Sequence, residues 1–450
     1  MKRWISCLLF FSTLVYGETT FLQVREQTIK INGKEAKMYA VVQQDGTMGL
    51  SYNIGDLFDV HLENVLEIPT SIHWHGLILP CAQDGAAFVT QFPIYPKVSY
   101  NYQFPIVQSG TFWMHSHFGL EKQKLLEAPL ILHDPAEALL ADQEAVILLS
   151  DFSFKSPEAI FQQLKSGGHK TSKKKEDIVE VNYDAFLANL HTLENPQIIQ
   201  TVPGKIVRLR MINGASNTNF FLDLNALEGR AIAVDGNRIQ PVKGSYFELA
   251  VAQRIDILVT IPDQGGAFPI LAQGEGTDKQ TGIILVTEGT QLPKIASKTL
   301  KKAGRFTNIQ EAGFQALSPL PKKPIDRKIR LELAGDMATY QWTINGQSWP
   351  EVTPLLVEQD QRVEIVFNNV SSMSHPMHLH GHIFQVTAIN GQPIEGALRD
   401  TVFIPQNSSV SIQFDADNPG VWPLHCHLLY HQEAGMSTVL RYGQFVQKLE

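Results

Sequence analysis

Three all-β sandwich domains in series are what this 450-residue sequence predicts, and three observations carry that prediction. A strand closing on asparagine recurs at a spacing of about 150 residues, the size of one compact domain. A glycine-led strand recurs in register with it. Period-2 alternation, as in Ser99-Tyr100-Asn101-Tyr102-Gln103-Phe104 and Val410-Ser411-Ile412-Gln413-Phe414, runs between turn residues along the chain, the pattern of antiparallel sheets with one buried face.

The asparagine-ended strand reads Gly55 to Asn64 in the first copy, Gly204 to Asn213 in the second and Gln359 to Asn368 in the third. The glycine-led strand reads Gly110-Thr111-Phe112-Trp113-Met114-His115-Ser116-His117 in the first and Gly420-Val421-Trp422-Pro423-Leu424-His425-Cys426-His427 in the third. The middle copy, Gly266 to Gln273, has Leu271 and Gln273 at the two histidine positions, so domain 2 is expected to keep the strand without a metal.

In chain order this gives a leader at 1–17, domain 1 at 18–140, domain 2 at 141–291, a linker at 292–325 and domain 3 at 326–450. Helix is expected only at Pro135–Gln143, crossing between the first two domains, and at Pro157–Leu164. The stretch Ser166–Asp177, with Gly167, Gly168 and Lys173-Lys174-Lys175, reads as a solvated loop, with docking to an anionic partner as the sharper alternative. The segment from Leu292 to Ile325, rich in Lys and Pro, reads as a connection.

Residues 1–17 have the form of a secretory signal: Lys2 and Arg3, the apolar run Ile5–Tyr16, and a small residue at Gly17 before a cut near Glu18. The run is short for a membrane span, although an uncleaved anchor is the alternative. A periplasmic or secreted protein is expected, with no membrane span after signal removal. Without a twin-arginine pair it would be exported unfolded and loaded with metal outside the cytoplasm. Hydrophobic residues at 44% and charged residues at 18% describe a packed globular chain, and a net charge of -8 excludes a phosphate-binding face for nucleic acid. Cys7 leaves with the signal, leaving Cys81, read as a small buried hydrophobe, and Cys426.

The chemistry concentrates in His425-Cys426-His427, followed by His431 and Met436. On a β-strand, residues two apart share a face and the middle one points the other way. His425 and His427 therefore face one site and Cys426 another, with His431 and Met436 placed to complete a ligand set of one thiolate, histidines and a weak thioether, which copper favours for electron transfer. Three more His-x-His pairs occur, His73-Trp74-His75, His115-Ser116-His117 and His378-Leu379-His380. Two pairs fall in domain 1 and two in domain 3, as a metal cluster shared between those domains requires. Only domain 3 has a thiolate, because Ser116 stands where Cys426 stands in the third copy.

These motifs, with His73-Trp74-His75-Gly76 and the run His375-Pro376-Met377-His378-Leu379-His380-Gly381-His382, resemble the multicopper oxidases over the whole mature length, closest to the bacterial copper-resistance branch of that laccase-containing family. The resemblance implies cupredoxin-like, Greek-key β-sandwich domains and four copper ions. It implies a type 1 copper on His375, Cys426 and His431 with Met436 axial, a type 2 copper on His73 and His378, and a type 3 pair on His75, His115, His117, His380, His425 and His427. Asp84 matches a carboxylate beside the cluster and is the candidate proton relay, with a turn-forming Asp-Gly as the plain alternative. Gln432, then Glu433, follows His431 where the resemblance leads one to expect an acid. Asp400 reads as support for the ligands or as an ordinary strand ion pair, and His382 as a structural neighbour. His61, His133, His169 and His191 lie outside any motif.

The implied reaction is four one-electron oxidations of a reducing substrate coupled to reduction of dioxygen to two waters. Phenols and aromatic amines rank first as donors, with Cu(I) also considered because Met373 and Met377 flank His375, and a copper-tolerance role is expected. A dedicated Cu(I) or Fe(II) oxidase, a periplasmic copper-sequestering protein with incidental oxidase activity, and a non-enzymatic cupredoxin scaffold are the competing readings.

Overall fold

The computed structural model describes residues 18–167, 179–443 and 445. The leader at 1–17, His169 and all but the first two residues of the Ser166–Asp177 loop lie outside the described residues.

Alternation in the sequence becomes alternation in burial. Along Leu57–Asn64, Phe58, Val60, Leu62 and Asn64 are buried while Asp59, His61 and Glu63 are not, so one face packs and the other meets water. Among the described residues, strands built this way form six sheets. Those between Thr20 and His133 make two four-stranded sheets, those between Gln143 and Thr287 a six-stranded and a five-stranded sheet, and those between Arg327 and Tyr442 a seven-stranded and a five-stranded sheet. Within each set the two sheets pack face to face through aromatic rings. Phe58 meets Trp74 with centroids 4.8 Å apart in the first, Phe186 meets Phe220 at 5.1 Å in the second, and Trp342 meets His375 at 5.3 Å in the third.

The sheets are not purely antiparallel. Each sandwich contains the same two parallel pairs: its first long strand lies parallel to the asparagine-ended strand, and another short strand lies parallel to the last strand of the second sheet. Parallel neighbours need a crossover connection, and crossing from one sheet to the other supplies it.

The recurrent asparagine has a structural reason. Asn64 Oδ1 accepts from Leu66 N and its Nδ2 donates to Ile68 O and Ile94 O, all within 2.9 Å. Asn213 makes the same three contacts, with Ala215 N, Thr218 O and Leu249 O. In the third sandwich the residue that does this is Asn369, bonded to Ser371 N, Met373 O and Ile404 O. The third copy is therefore shifted by one residue from the Gln359–Asn368 reading: Asn369 is buried and Asn368 exposed. Asp360, at φ 67°, takes the left-handed position that Gly55 and Gly204 hold at 91° and 74°. Each asparagine satisfies backbone groups of the loop that leads onward, and in the first and third sandwiches that loop delivers a histidine-bearing strand.

The Pro157–Leu164 helix is present as Pro157–Lys165, with Ser156 Oγ capping Ala159 N at 3.1 Å. Pro135–Gln143 is not a helix. Asp134 caps a three-residue 3-10 turn, Pro135–Glu137, and Gln143 already begins the next strand, whose pairing with Val207–Asn213 outweighs the local helix signal. Residues 292–325 contain a single helical turn, Ile309–Gly313, and no named strand.

Replacing Asn369 with Ala strands three buried backbone groups, and should destabilise the copper-free protein by about 2–4 kcal/mol. Thermal unfolding measures this; an unchanged midpoint would contradict the bracing role.

Candidate metal centre

Two antiparallel pairings set the site. In the first sandwich Ile72–His75 pairs with Gly110–Ser116, placing His73 opposite His115. In the third, His375–Leu379 pairs with Val421–Cys426, placing His378 opposite His425 and Met377 opposite Cys426. The two strand pairs meet, so that rings from both ends of the chain share one buried basket. His73 Nε2 lies 3.4 Å from His378 Nε2, His117 Nε2 is 3.3 Å from His425 Nε2, and His380 Nε2 is 3.0 Å from His425 Nε2. His75, His115 and His427 form a third group, with His115 Nε2 3.4 Å from His75 Nδ1.

Outward nitrogens show where the ring protons sit. His73 Nδ1 donates to Asp84 O at 2.9 Å, His115 Nδ1 to Ser116 O at 2.9 Å, His378 Nδ1 to Asp400 O at 2.8 Å and His425 Nδ1 to Cys426 O at 3.0 Å. His380 Nδ1 donates to Asp84 Oδ2 at 2.9 Å and His75 Nε2 to Asp400 Oδ1 at 3.0 Å. The nitrogens turned inward are then lone pairs facing one another. Without a cation such a basket repels itself, and imidazole lone pairs suit copper, zinc, iron or nickel alike.

On the other face of the Val421–Cys426 strand, Cys426 Sγ lies 3.6 Å from His375 Nδ1 and 3.9 Å from His431 Nδ1, and those two nitrogens are 3.1 Å apart. Both outer nitrogens are engaged, His375 Nε2 with Ser371 Oγ at 2.7 Å and His431 Nε2 with Glu180 Oε1 at 2.9 Å. Met436 is fully buried and is tied by its backbone to both neighbours, its N to His431 O and its O to Cys426 N, each 3.0 Å. A soft thiol with two bare imidazole nitrogens is a copper-type donor set.

Multicopper oxidase family models match residues 23–137, 143–290 and 322–445. The multicopper oxidase MmcO of Mycobacterium tuberculosis is 32% identical, covering 86% of this chain and 80% of that protein.

The chain belongs to the multicopper oxidases.

Copper resistance protein A of Escherichia coli is 25% identical over 93% of this chain and 92% of its own. The crystal structure of a laccase from Botrytis aclada superposes with a TM-score of 0.79 at 25% identity, over 94% of this chain and 87% of that one. As a multicopper oxidase this is an oxidoreductase that uses several copper ions and oxygen, and its fold is cupredoxin-like.

All twelve residues singled out as copper ligands lie in these two clusters or against them, and Asp84 lies beside the basket. Asp84 follows the 3-10 turn Cys81–Gln83 and is held there by Gly85, at φ 86°, whose missing Cβ would stand 1.8 Å from Ile72 O. In domain 2 the Leu271 and Gln273 positions carry no ligand; Gln273 Nε2 instead bonds Thr277 O and Thr299 Oγ1. His382 bonds His380 O and Tyr442 OH, outside both clusters. His61, His133 and His191 are half-buried at the surface. Neither Cys81 nor Cys426 forms a disulfide, and both are buried.

Several charged groups at the site escaped the sequence reading. Lys122 is buried, donates to Ala215 O at 2.8 Å and lies 3.3 Å from His427 Nδ1, and burial brings it down to about 8. Glu121 accepts from Thr70 Oγ1 and Ser116 Oγ, and burial raises it to about 7. Arg254 pairs with Asp400, and Glu180 with His431. Charged residues in short segments without periodicity read as surface, and no local signal marks these as buried. A cleft of about 380 Å³ opens onto His117 and His425 between Phe88, Phe118 and Trp349, with Gln432 and Glu433 on its wall.

Burial holds His75, His115, His375, His380, His425 and His427 well below the ordinary imidazole range, and brings His117 and His378 to about 3. These rings are neutral and ready to bind metal at neutral pH. Unfolded imidazoles take up protons below about 6.5, so between there and about 3 these rings hold more protons in the unfolded copper-free chain than in the folded one. Their contribution to stability is present above about 6.5 and is lost as pH falls through that window, and below about 4.5, where buried acids such as Glu121 are protonated in both states, it is no longer opposed by them. Thermal midpoints of the copper-free protein at pH 7, 5 and 4 should fall in that order; a flat series would contradict neutral burial.

Proposed function

We propose that this multicopper oxidase would hold four coppers: type 1 on His375, Cys426, His431 and Met436, type 2 on His73 and His378, and a type 3 pair on His75, His115, His117, His380, His425 and His427. One observation carries this reading. The strand ending at Cys426 turns its sulfur to one cluster of bare nitrogens and the neighbouring histidine rings to another, so the polypeptide spans both clusters with one peptide unit on either side of the cysteine. Copper, when bound, supplies one-electron acceptance at the thiolate and electron storage where dioxygen is reduced to two waters.

The chain's own residues do the rest. The cleft beside His117 and His425 admits a molecule as small as dioxygen. Asp84 holds the outward protons of His73 and His380, which supports it as the proton relay, and Glu433, raised by burial on the wall of that cleft, is a second acid for the same task. The donor side is the outer edge of His431. Glu180 lies there beside Asn217, at a small cavity with Asn182 and Asn219. A carboxylate at that edge favours donors that bring a proton or a positive charge, such as phenols, aromatic amines or metal cations.

Among these, phenols and aromatic amines rank first. Met373 and Met377, weighed as a Cu(I) entry point, are 8% and 0% exposed and serve the core around His375. The name of the Escherichia coli relative supports a copper-tolerance role, and the signal-like leader supports a periplasmic or secreted location.

Oxygen uptake by the copper-loaded protein with a phenol, Cu(I) and Fe(II) tests the reading. Uptake should be fastest with the phenol, and Glu180→Gln should raise KM for it several-fold. Uptake with a metal ion alone would favour a dedicated metallo-oxidase, and four bound coppers with no oxygen uptake would favour sequestration.

A further inference from the structure

We propose that Arg254, from the middle domain, which supplies none of the ligands proposed above, is a positioning residue that sets His75 and His378 through Asp400. The inference rests on the reading of those two histidines as copper ligands.

Arg254 is fully buried at the start of the Arg254–Thr260 strand. Its Nη1 and Nη2 donate to the two oxygens of Asp400 at 2.7 and 2.6 Å, a bidentate fork. Its Nε donates to Thr111 O at 3.0 Å, on the strand that carries His115. One side chain of the second sandwich thus grips the backbone of the first and a carboxylate of the third.

Asp400 passes that grip to the basket. Its Oδ1 accepts from His75 Nε2 at 3.0 Å and its carbonyl from His378 Nδ1 at 2.8 Å. Every other basket histidine whose outward nitrogen bonds an oxygen acceptor does so through Nδ1 and turns Nε2 inward. His75 is reversed: with Nε2 on Asp400, it presents Nδ1. The carboxylate makes that choice, and the guanidinium fixes the plane of the carboxylate. A second brace runs from Asp235, which accepts from Arg254 N at 2.9 Å and from Arg399 Nη1 at 3.1 Å, holding the residue just before Asp400.

The packing leaves no slack. Gly76, directly after His75, has φ 89°, and a Cβ there would lie 2.5 Å from Asp400 Oδ2 and 2.6 Å from Arg254 Nη2. The chain bearing His75 therefore turns directly over the ion pair. Phe112 closes another side, with its ring centroid 5.5 Å from the guanidinium carbon.

Three variants test this: Arg254→Lys, which keeps the charge and loses the fork; Arg254→Met; and Arg254→Met with Asp400→Asn, which leaves no buried charge stranded. Copper per chain is measured under chelator competition, with the visible absorption of the Cys426 copper as an internal gauge of an intact third domain. All three should keep that absorption and bind the basket copper about 10–100-fold more weakly. Wild-type retention of basket copper by Arg254→Lys or by the double variant would reduce Arg254 to charge balance and overturn the proposal. Loss of the visible band in all three would also overturn it, by assigning Arg254 to the fold. Wild-type protein that binds no basket copper would instead refute the ligand assignment.

Discussion

A single register, Met377 opposite Cys426 and His378 opposite His425, governs this molecule. Because strand side chains alternate faces, slipping that pairing by one residue would exchange the sulfur and the rings between the two clusters. The neighbouring strands hold it in place. Ser437–Tyr442 pairs along the far edge of the cysteine strand and Thr401–Ile404 along that of the His375–Leu379 strand, and the Asn369 brace fixes the loop from which His375 emerges. The same arrangement in the first sandwich, without a cysteine, supplies the opposing half of the basket.

Gathering buried imidazoles is unfavourable without metal, and the fold manages this by specifying tautomers. Backbone carbonyls of residues 84, 116, 400 and 426, with the carboxylates of Asp84 and Asp400, take the outward protons, so the inward nitrogens are bare before any cation arrives. His427 differs, since its outer nitrogen faces the ammonium of Lys122. The middle sandwich, whose described residues place no histidine in either cluster, contributes Arg254 and the Asn217 that bonds Glu180, and so touches both clusters from outside.

The residues that gather in the two clusters were legible in the sequence because strand geometry writes itself as short spacing, His-x-His for one face and the interposed cysteine for the other. The repeat was legible too, but the doublet Asn368-Asn369 left its third copy one residue out of register. Alternation does not disclose the direction of a partner strand, so the parallel pairs were missed. What local pattern could not show were roles created by distant contacts. Arg254 and Asp400 are 146 residues apart, and Glu180 and His431 are 251 apart. Nothing local marks Arg254 or Glu180 as buried beside a cluster; only the fold brings them there. Asp400 stood between two readings, and it is both: an ion pair and a support for two histidines.

The most direct test of the account is Cys426→Ser, followed by copper analysis, visible spectroscopy and oxygen uptake. The account predicts a folded protein that keeps copper in the histidine basket, has no intense visible absorption and consumes no oxygen with any donor. Undiminished turnover in that variant would contradict the role of the strand as the link between the two clusters.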